Sequence, residues 1–319
     1  QVLPSGFKPS TGLSDQPLPE DIVAKHWKAP TSGGSTGVPK LIVSADPASL
    51  DLHSNSVFRQ KADGTVLIPG PVYHNGPFIA AIHGLLRGNH IVVMPKFDAE
   101  QTLQLIEQHQ IDWTVIVPTM MQRIWRLPLE TRESYDLSSL RVVLHFAAPC
   151  PVWLKQAWID WLGAGKIYEL YGGAEGHGYS WISGEEWLTH KGSVGQWQGG
   201  CQIKVVDEQG SILPPGEIGE LYFLPDTGQG STYGYIGADP EVIDGGWESL
   251  GDMGYLDKEG YLYLCDRKKD MILSGGANIY PAEVEAAIES HPSVRSSIVV
   301  GLPDEDLGQK IHALVDAPD

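Results

Sequence analysis

The sequence predicts an α/β protein whose second half turns to antiparallel β-structure and ends in a small α+β unit. Three observations carry this reading. Short β-branched apolar runs alternate with helical patterns from about residue 98 to residue 162, which is the grammar of parallel strands joined by helices. After about Gly192 the helical periodicity stops, and turn-rich tetrapeptides separate short apolar runs. From about Asp266 a strand, a glycine turn, a helix and a strand pair follow in order.

Residues 1–30 hold five prolines and little periodicity, so they read as a loop-rich lead-in. Asp98 suits an N-cap for a helix running to about His109, with Leu103 and Ile106 on one face. Residues 113–117 form a buried strand ended by Pro118, and 141–146 form another. Pro151 suits the first turn of a helix carrying Leu154, Ala157, Trp158 and Trp161. Strands follow at 202–206 and 220–223. The tetrapeptide Asp257-Lys258-Glu259-Gly260 joins 255–256 to 261–264 as a hairpin. A strand at 271–273 precedes the turn Ser274-Gly275-Gly276, a helix opens at Pro281, and strands at 297–300 and 311–315 close the chain. The expected domain boundary lies at about 266–270, with no repeats or low-complexity tracts.

The 319 residues are 42% hydrophobic and 19% charged, enough apolar material for one large or two ordinary cores. The net charge of −18 argues against a basic nucleic-acid surface and against electrostatic binding to anionic membranes. An anion must therefore be held by a local device. Cys150, Cys201 and Cys265 are widely spaced and odd in number, so they read as buried small residues in a reducing compartment. No apolar run reaches the ~20 residues of a membrane span, and the expected location is the cytoplasm.

That local device is Thr31-Ser32-Gly33-Gly34-Ser35-Thr36-Gly37-Val38-Pro39-Lys40. Glycines let backbone N–H groups crowd an anion, hydroxyls donate to phosphate oxygens, and Lys40 adds a point charge. The stretch departs from the Walker pattern, because Leu41 stands where Ser or Thr is required. It resembles the phosphate-binding signature of the adenylate-forming superfamily, which comprises acyl-CoA synthetases, luciferases and adenylation domains. Further motifs similar to that family's follow in its order: Tyr171-Gly172-Gly173-Ala174-Glu175, Gly216-Glu217-Ile218-Gly219-Glu220-Leu221, Gly251-Asp252, Asp266-Arg267-Lys268-Lys269-Asp270 and the segment from Ser274 to Glu285. The resemblance runs from about Thr31 to the end.

The resemblance implies a large N-terminal adenylating domain, residues 1–266, of stacked α/β sheets plus a distorted antiparallel β-barrel. A small mobile α+β C-terminal domain starts at 267–319. Both are expected to be incomplete: the chain does not begin with Met, nothing matches the first part of the family's N-terminal domain, and no lysine follows Lys310 to serve as the family's C-terminal catalytic lysine. The implied chemistry joins a carboxylate to the α-phosphate of ATP, expels pyrophosphate, and passes the acyl group to CoA. An amide-forming synthetase, with an amine as acceptor, is the alternative within the class. A nucleotide-binding module without turnover is the alternative outside it.

By resemblance, Thr31 to Lys40 hold the β- and γ-phosphates. Glu175 ligates Mg²⁺, a hard cation suited to a carboxylate. Tyr171 stacks on adenine, with Ala147, Ala148 and Pro149 lining the other side. Asp252 accepts from the ribose, and Arg267 donates to ribose or phosphate. Glu169, Leu170, Gly172, Gly173, Ala174 and Leu264 complete the ATP or AMP site. Ala174 stands where the family usually has Thr, so one hydrogen bond worth ~0.5–1.5 kcal/mol is missing there. His74, a catalytic candidate, lines the acyl pocket with Asn75, Gly76, Gly172 and His177. Lys269 is the hinge, and Ser274, Gly275 and Gly276 approach the CoA or amine tunnel. The expected partners are a small carboxylic acid, of the bulky or aromatic kind, and CoA. The oligomeric state is left open between monomer and homodimer.

Overall fold

A computed structural model describes residues 23–32, 40–51 and 57–318. Residues 23–30 contain no helix or strand. Strands β1 (Thr31–Ser32) and β2 (Lys40–Ser44) pair antiparallel, with Ser32 opposite Lys40. They are the two arms of the expected phosphate loop, whose residues 33–39 lie outside the described residues.

The parallel half follows as β3 (Thr65–Ile68), α1 (Asn75–Leu86), β4 (His90–Val93), α2 (Ala99–His109), β5 (Trp113–Ile116), α3 (Pro118–Trp125), α4 (Leu129–Glu133), β6 (Val142–His145), α5 (Val152–Leu162) and β7 (Ile167–Tyr171). Its strand order is β4-β3-β5-β6-β7, parallel throughout. Asp98 Oδ1 accepts from Gln101 N at 2.9 Å and caps α2, as its sequence predicts. Gln110, in the left-handed region at φ 49°, stops that helix. Pro118 both ends β5 and opens the first turn of α3, a helix its sequence pattern does not announce. Pro151 precedes α5 and does not enter its first turn.

The inner strands β3, β5 and β6 are buried on both faces, as parallel strands covered by helices must be, while the edge strand β4 is partly exposed. Leu67, Ile116, Val143 and Ile167 pack with Leu103, Ile106, Met121, Ile124, Leu154 and Trp158 of α2, α3 and α5. The alternate residues Val66, Ile68, Val115, Val142, Leu144 and Tyr168 face the other way, with Ala80 of α1. The described residues contain one parallel sheet of the stacked pair that the resemblance implies.

Beyond β7 the same sheet becomes antiparallel. Its further elements are β8 (Tyr179–Ser183), α6 (Gly184–Trp187), β9 (Ser193–Gln198), β10 (Cys201–Val206), β11 (Gly219–Pro225), β12 (Tyr233–Ile236), β13 (Glu241–Ile243), β14 (Trp247–Leu256) and β15 (Tyr261–Arg267). The path runs β7-β8-β9-β15-β14-β11-β10, with β13 on β14 and β12 leaving to pair with β2. Gly199 and Gly200, at φ 94° and 69°, are the whole link from β9 to β10. Such a link spans at most about 11 Å. Four strand spacings in a flat sheet would demand about 19 Å. The five strands β10-β11-β14-β15-β9 are therefore curled, closed by a covalent link instead of a ladder. This is the distorted barrel of the expectation, with Val194, Val205, Leu221, Phe223 and Leu262 inside.

A separate four-stranded sheet ends the chain: β16 (Ile272–Ser274), β17 (Ala277–Ile279), β18 (Ser296–Asp304) and β19 (Gly308–Asp316), in the order β17-β16-β19-β18, with α7 (Pro281–Glu289) between β17 and β18. Gly275 and Gly276, at φ 58° and 83°, make the two-residue turn between β16 and β17. This sheet meets the rest through Gln122 Nε2, which donates to Glu289 Oε2 at 2.9 Å, and through Arg126, which donates to the carbonyls of Val294 and Arg295.

Candidate active site

The strongest polar grouping lies at the C-terminal end of β7. Tyr171 is the last residue of that strand, and its hydroxyl donates to Asp252 Oδ2 at 2.6 Å. Asp252 sits on β14 directly across the ladder from Arg267 of β15. That register puts Arg267 Nε 2.9 Å from Asp252 Oδ1, and Arg267 Nη1 donates to the Leu250 carbonyl at 2.7 Å. Asp252 is 6% exposed, and burial raises its pKa against the opposing pull of Arg267 and the Tyr171 hydrogen bond. Burial and the neighbouring Asp252 carboxylate push the Tyr171 phenol well above its ordinary value.

A second grouping lies against the first. The loop after β7 carries Glu175, which is 8% exposed and accepts from the Tyr235 hydroxyl at 2.7 Å. This loop folds back tightly on β9. A side chain at Gly178, where φ is 117°, would come 2.5 Å from the Gln198 carbonyl oxygen. Lys40 Nζ lies 3.5 Å from the centroid of the Tyr235 ring. Lys28 Nζ donates to Asn75 Oδ1 at 3.2 Å. Burial lowers the pKa of both lysines, and the Glu175 carboxylate partly restores it. Arg267 also acts on Lys40, and Glu175 on Tyr171 and Asp252, so the two groupings share one electrostatic environment.

The start of α1 forms the third wall. His74 is its N-cap residue and makes no side-chain capping bond, and no acidic residue occupies the first turn. The positive end of the helix is thus without a side-chain cap at Asn75, whose own side chain accepts from Lys28. Gly76 has no room for a side chain, because a Cβ there would overlap the Phe146 ring. Ala147 follows Phe146 with φ 74°, a strained value for a residue with a Cβ, and leads the exposed turn Ala147-Ala148-Pro149 beside the end of β7.

The structure thus draws together Lys40, Tyr171, Glu175, Asp252 and Arg267, with Asn75 tied to Lys28. Gly172, Gly173 and Ala174 form the link between Tyr171 and Glu175; a Cβ on Gly172 would come 3.0 Å from the Gly178 carbonyl oxygen. Ser32 and Thr31 lie on β1 beside Lys40, whereas Gly33, Gly34, Ser35, Thr36 and Gly37 are outside the described residues.

Other expected site residues stand elsewhere. Glu169 lies two residues before Tyr171, on the same face of β7 but deeper in the sheet, where Lys155 Nζ of α5 holds its Oε2 at 2.6 Å and His145 Nδ1 is 3.8 Å from Oε1. Its carboxylate is thus consumed in the core and does not face a nucleotide. Leu170 packs among the apolar residues on the α1 side, and Leu264 packs in the barrel core. His177 corrects a further expectation. It is 0% exposed, its Nε2 lies 3.1 Å from Glu248 Oε2, and Phe223 and Tyr233 cover its ring. It is a core histidine and lines no acyl pocket. The Ser274-Gly275-Gly276 turn packs on Leu307, whose carbonyl accepts from Gly275 N at 2.9 Å.

Sequence reading misses Lys28, Tyr235 and Glu248. Tyr233 and Tyr235 lie two apart on β12, and therefore on one face. One bonds the buried Glu248 at 2.6 Å and the other bonds Glu175. The only sequence signal was that i, i+2 tyrosine pair, which carries no chemistry until its partners are known.

The AMP-binding enzyme family matches residues 29–235, which include the phosphate-loop arms, Tyr171, Glu175 and Tyr235. The chain belongs to the AMP-binding enzyme family. Among curated members it is similar to an indoleacetate–CoA ligase of Aromatoleum aromaticum, at 32% identity over 293 residues, which is 89% of this chain and 56% of that protein. It is similar to a 2-succinylbenzoate–CoA ligase of Bacillus cereus, at 32% identity over 294 residues, covering 89% and 58%. Among solved members of the superfamily it matches an amide bond synthetase from Marinactinospora thermotolerans, with TM-score 0.74, 26% identity, and 91% and 59% coverage. It also matches an o-succinylbenzoate CoA synthetase from Bacillus subtilis in complex with its acyl-adenylate intermediate, with TM-score 0.73, 28% identity, and 91% and 60% coverage. The chain spans between half and three-fifths of the length of these relatives.

Proposed function

We propose that the protein activates a carboxylic acid with ATP and transfers the acyl group to CoA. In the first step a carboxylate oxygen attacks the α-phosphorus, an acyl–phosphate bond forms, and the α–β phosphoanhydride bond breaks to release pyrophosphate. In the second step the CoA sulfur attacks the acyl carbon, and AMP leaves. The observation that carries this reading is the convergence of Tyr171, Asp252 and Arg267 with Lys40 and Glu175 at the end of β7.

Each group has a task in that chemistry. Each Asp252 oxygen has a lone pair left after bonding Tyr171 or Arg267, so it would accept from ribose hydroxyls. Tyr171 and the Ala147-Ala148-Pro149 turn would flank the base. Lys40 and Lys28 would neutralise phosphate charge, and the uncapped start of α1 with His74, Asn75 and Gly76 would receive the substrate carboxylate. Glu175 fits a single hard cation, because Oε1 accepts from Tyr235 while Oε2 has no donor among the described residues. No cluster of three or more His, Cys, Asp or Glu occurs among the described residues, so Mg²⁺ there would take its other ligands from phosphates and water. Magnesium, when bound, supplies neutralisation of the phosphate charge.

An aromatic acid as substrate is supported by the names of the two curated relatives. An amine acceptor is the second reading, favoured by the likeness to the amide bond synthetase. Residues 1–266 and 267–319 would form an adenylating domain and a mobile lid turning at Lys269. Supporting this, Arg267 ends a strand of the large sheet and Ile272 begins one of the small sheet. A cytoplasmic location is supported by the free state of all three cysteines; no described helix is long and apolar enough to cross a membrane.

The test is to incubate the full protein with ATP, Mg²⁺, a pool of carboxylic acids, CoA and a simple amine, and to identify products by mass spectrometry. An acyl-CoA is expected. An amide in its place would move the enzyme to the second reading, and failure to release pyrophosphate with any acid would overturn both.

A further inference from the structure

A second recess lies on the outer face of the parallel half, where α4 and the turn after it meet the C-terminal end of α5. It has a volume of about 300 Å³, at the lower end of the range for small-molecule sites. Arg132 lines it and is 8% exposed. Its Nε is sealed from solvent with no hydrogen-bond partner. The neighbours given to its guanidinium among the described residues are ring faces, with centroids 3.7 Å away for Trp125 and 5.5 Å for Trp161. Ring faces stabilise a cation without accepting its in-plane hydrogen bonds. Burial already lowers the pKa of this group, and the exposed carboxylate of Glu133 offsets only part of that. A buried donor with no acceptor is costly, and such a group in a fold calls for an explanation, a bound ligand being one.

The remaining lining tells what would complete it. Lys166, half-buried, brings a second cation, and Ser138 brings a hydroxyl. The Tyr135 hydroxyl is already engaged, donating to Glu100 at 3.0 Å. Trp161, Leu137 and Leu162 supply an apolar wall. With the exposed Glu133 carboxylate at the rim, the lining carries two cations and one anion, a net positive recess in a chain of net charge −18. The planar guanidinium fork, held 3.7 Å from the Trp125 ring centroid, is the group that matches a planar carboxylate with two parallel hydrogen bonds. We propose that this recess is a binding site for a small carboxylate with an apolar body, gripped by Arg132 and flanked by Lys166. It is separate from the site at the end of β7, because the Ala147-Ala148-Pro149 turn leads into the N-terminal end of α5, whereas Trp161 and Leu162 lie at its C-terminal end.

The test titrates 4-fluorobenzoate into the chain at about 0.15 M chloride, followed by ¹⁹F NMR, with inorganic phosphate as a parallel arm. Wild type, Arg132→Gln and Lys166→Gln are compared, and AMP affinity and melting temperature report the integrity of the rest. Saturable binding in the wild type is expected, weakened at least tenfold by Arg132→Gln and severalfold by Lys166→Gln, with AMP affinity unchanged. If Arg132→Gln does not fold, Lys166→Gln decides. The proposal falls if fluorobenzoate does not bind saturably, or if its binding is the same in every variant that folds. Arg132-dependent binding of phosphate tighter than that of fluorobenzoate would overturn the assignment to carboxylates.

Discussion

Tyr235 donates its hydroxyl hydrogen to Glu175 at 2.7 Å while its ring carries the Lys40 ammonium at 3.5 Å from the centroid. One side chain on β12 thus holds the anionic and the cationic arms of the site at a fixed separation.

Tyr235→Phe keeps the ring under Lys40 and removes the hydrogen bond to a carboxylate that is 8% exposed. A hydrogen bond to a charged group contributes about 1.5–3 kcal/mol. The variant should fold with a lower melting temperature, and its pyrophosphate release should require a different Mg²⁺ concentration for half-saturation. Wild-type magnesium dependence would argue against contact between Glu175 and the cation.

Asp252 pairs a binding role with a stability cost. Burial raises its pKa above the ordinary 3.8, so its charged form is disfavoured in the fold. The unfolded chain releases this proton first, and native stability should fall as pH climbs from 3.8 toward the raised value. Asp252→Asn removes that slope and keeps an acceptor for Tyr171. Urea midpoints between pH 4 and 7 should flatten relative to wild type, while AMP affinity drops at least about tenfold, or about 1.4 kcal/mol.

His145 has the opposite pH signature. It is fully buried and pushed down to about 4 from 6.5. The unfolded chain takes up the proton first, so stability is present above 6.5 and is lost as pH falls toward 4. That shift corresponds to about 3 kcal/mol by the lower limit. His145→Gln should remove most of this acid-side loss in chemical denaturation.

Glu169 and Lys155 are a buried ion pair at 2.6 Å. Glu169→Gln or Lys155→Met alone should destabilise by about 3–5 kcal/mol, because each leaves a buried charge unpaired. The double substitution should cost much less than the two single losses together. AMP affinity of folded Glu169→Gln should match wild type, and a large loss would restore the nucleotide role that the motif resemblance suggests.

Lys269 follows two anchored residues. Arg267 is held by Asp252, and Lys268 by Gly251 O through its backbone and by Glu220 at 2.8 Å through its side chain. Rotation of the C-terminal part is therefore expected to begin after Lys268. In the full protein Lys269→Pro should leave pyrophosphate release near wild type and block acyl transfer. Equal loss of both half-reactions would place the hinge elsewhere.

The elements legible in the sequence are those whose cause is local. Asp98 caps α2 within its own first turn, and Gly275-Gly276 supply the positive φ values that their turn needs. The antiparallel half was legible from its turns. Helix α1 was not, because the Phe78–Leu86 stretch is apolar on every side and shows no stripe, although only Ala80 and Gly84 are buried and Leu85 and Leu86 are exposed. In the site, motif spacing led to Tyr171, Glu175, Asp252 and Arg267, which the fold brings into one environment. It could not show that Glu169, on the same face of β7 as Tyr171 but two residues deeper, has its carboxylate engaged by Lys155 of α5, and so Glu169 joined the nucleotide residues. His177 lies two residues past Glu175, but the turn at Gly176 and Gly178 sends it into the core. Lys28 and Tyr235 depend on partners far away in sequence, and a single sequence has no means of naming them.

The pairing of β2 with β12 has a consequence for biosynthesis. Ile42 finds its ladder partner in Tyr235, and only after most of the barrel has been made. At ~5–20 residues per second, a ribosome has exposed the phosphate-loop arms for on the order of ten seconds or more before that partner emerges. The nascent parallel core can form during that interval, since all five of its strands precede β8. The candidate site is completed late and in steps: the strand bearing Tyr235 docks beside Lys40 and Glu175, and Asp252 and Arg267 follow later still on β14 and β15.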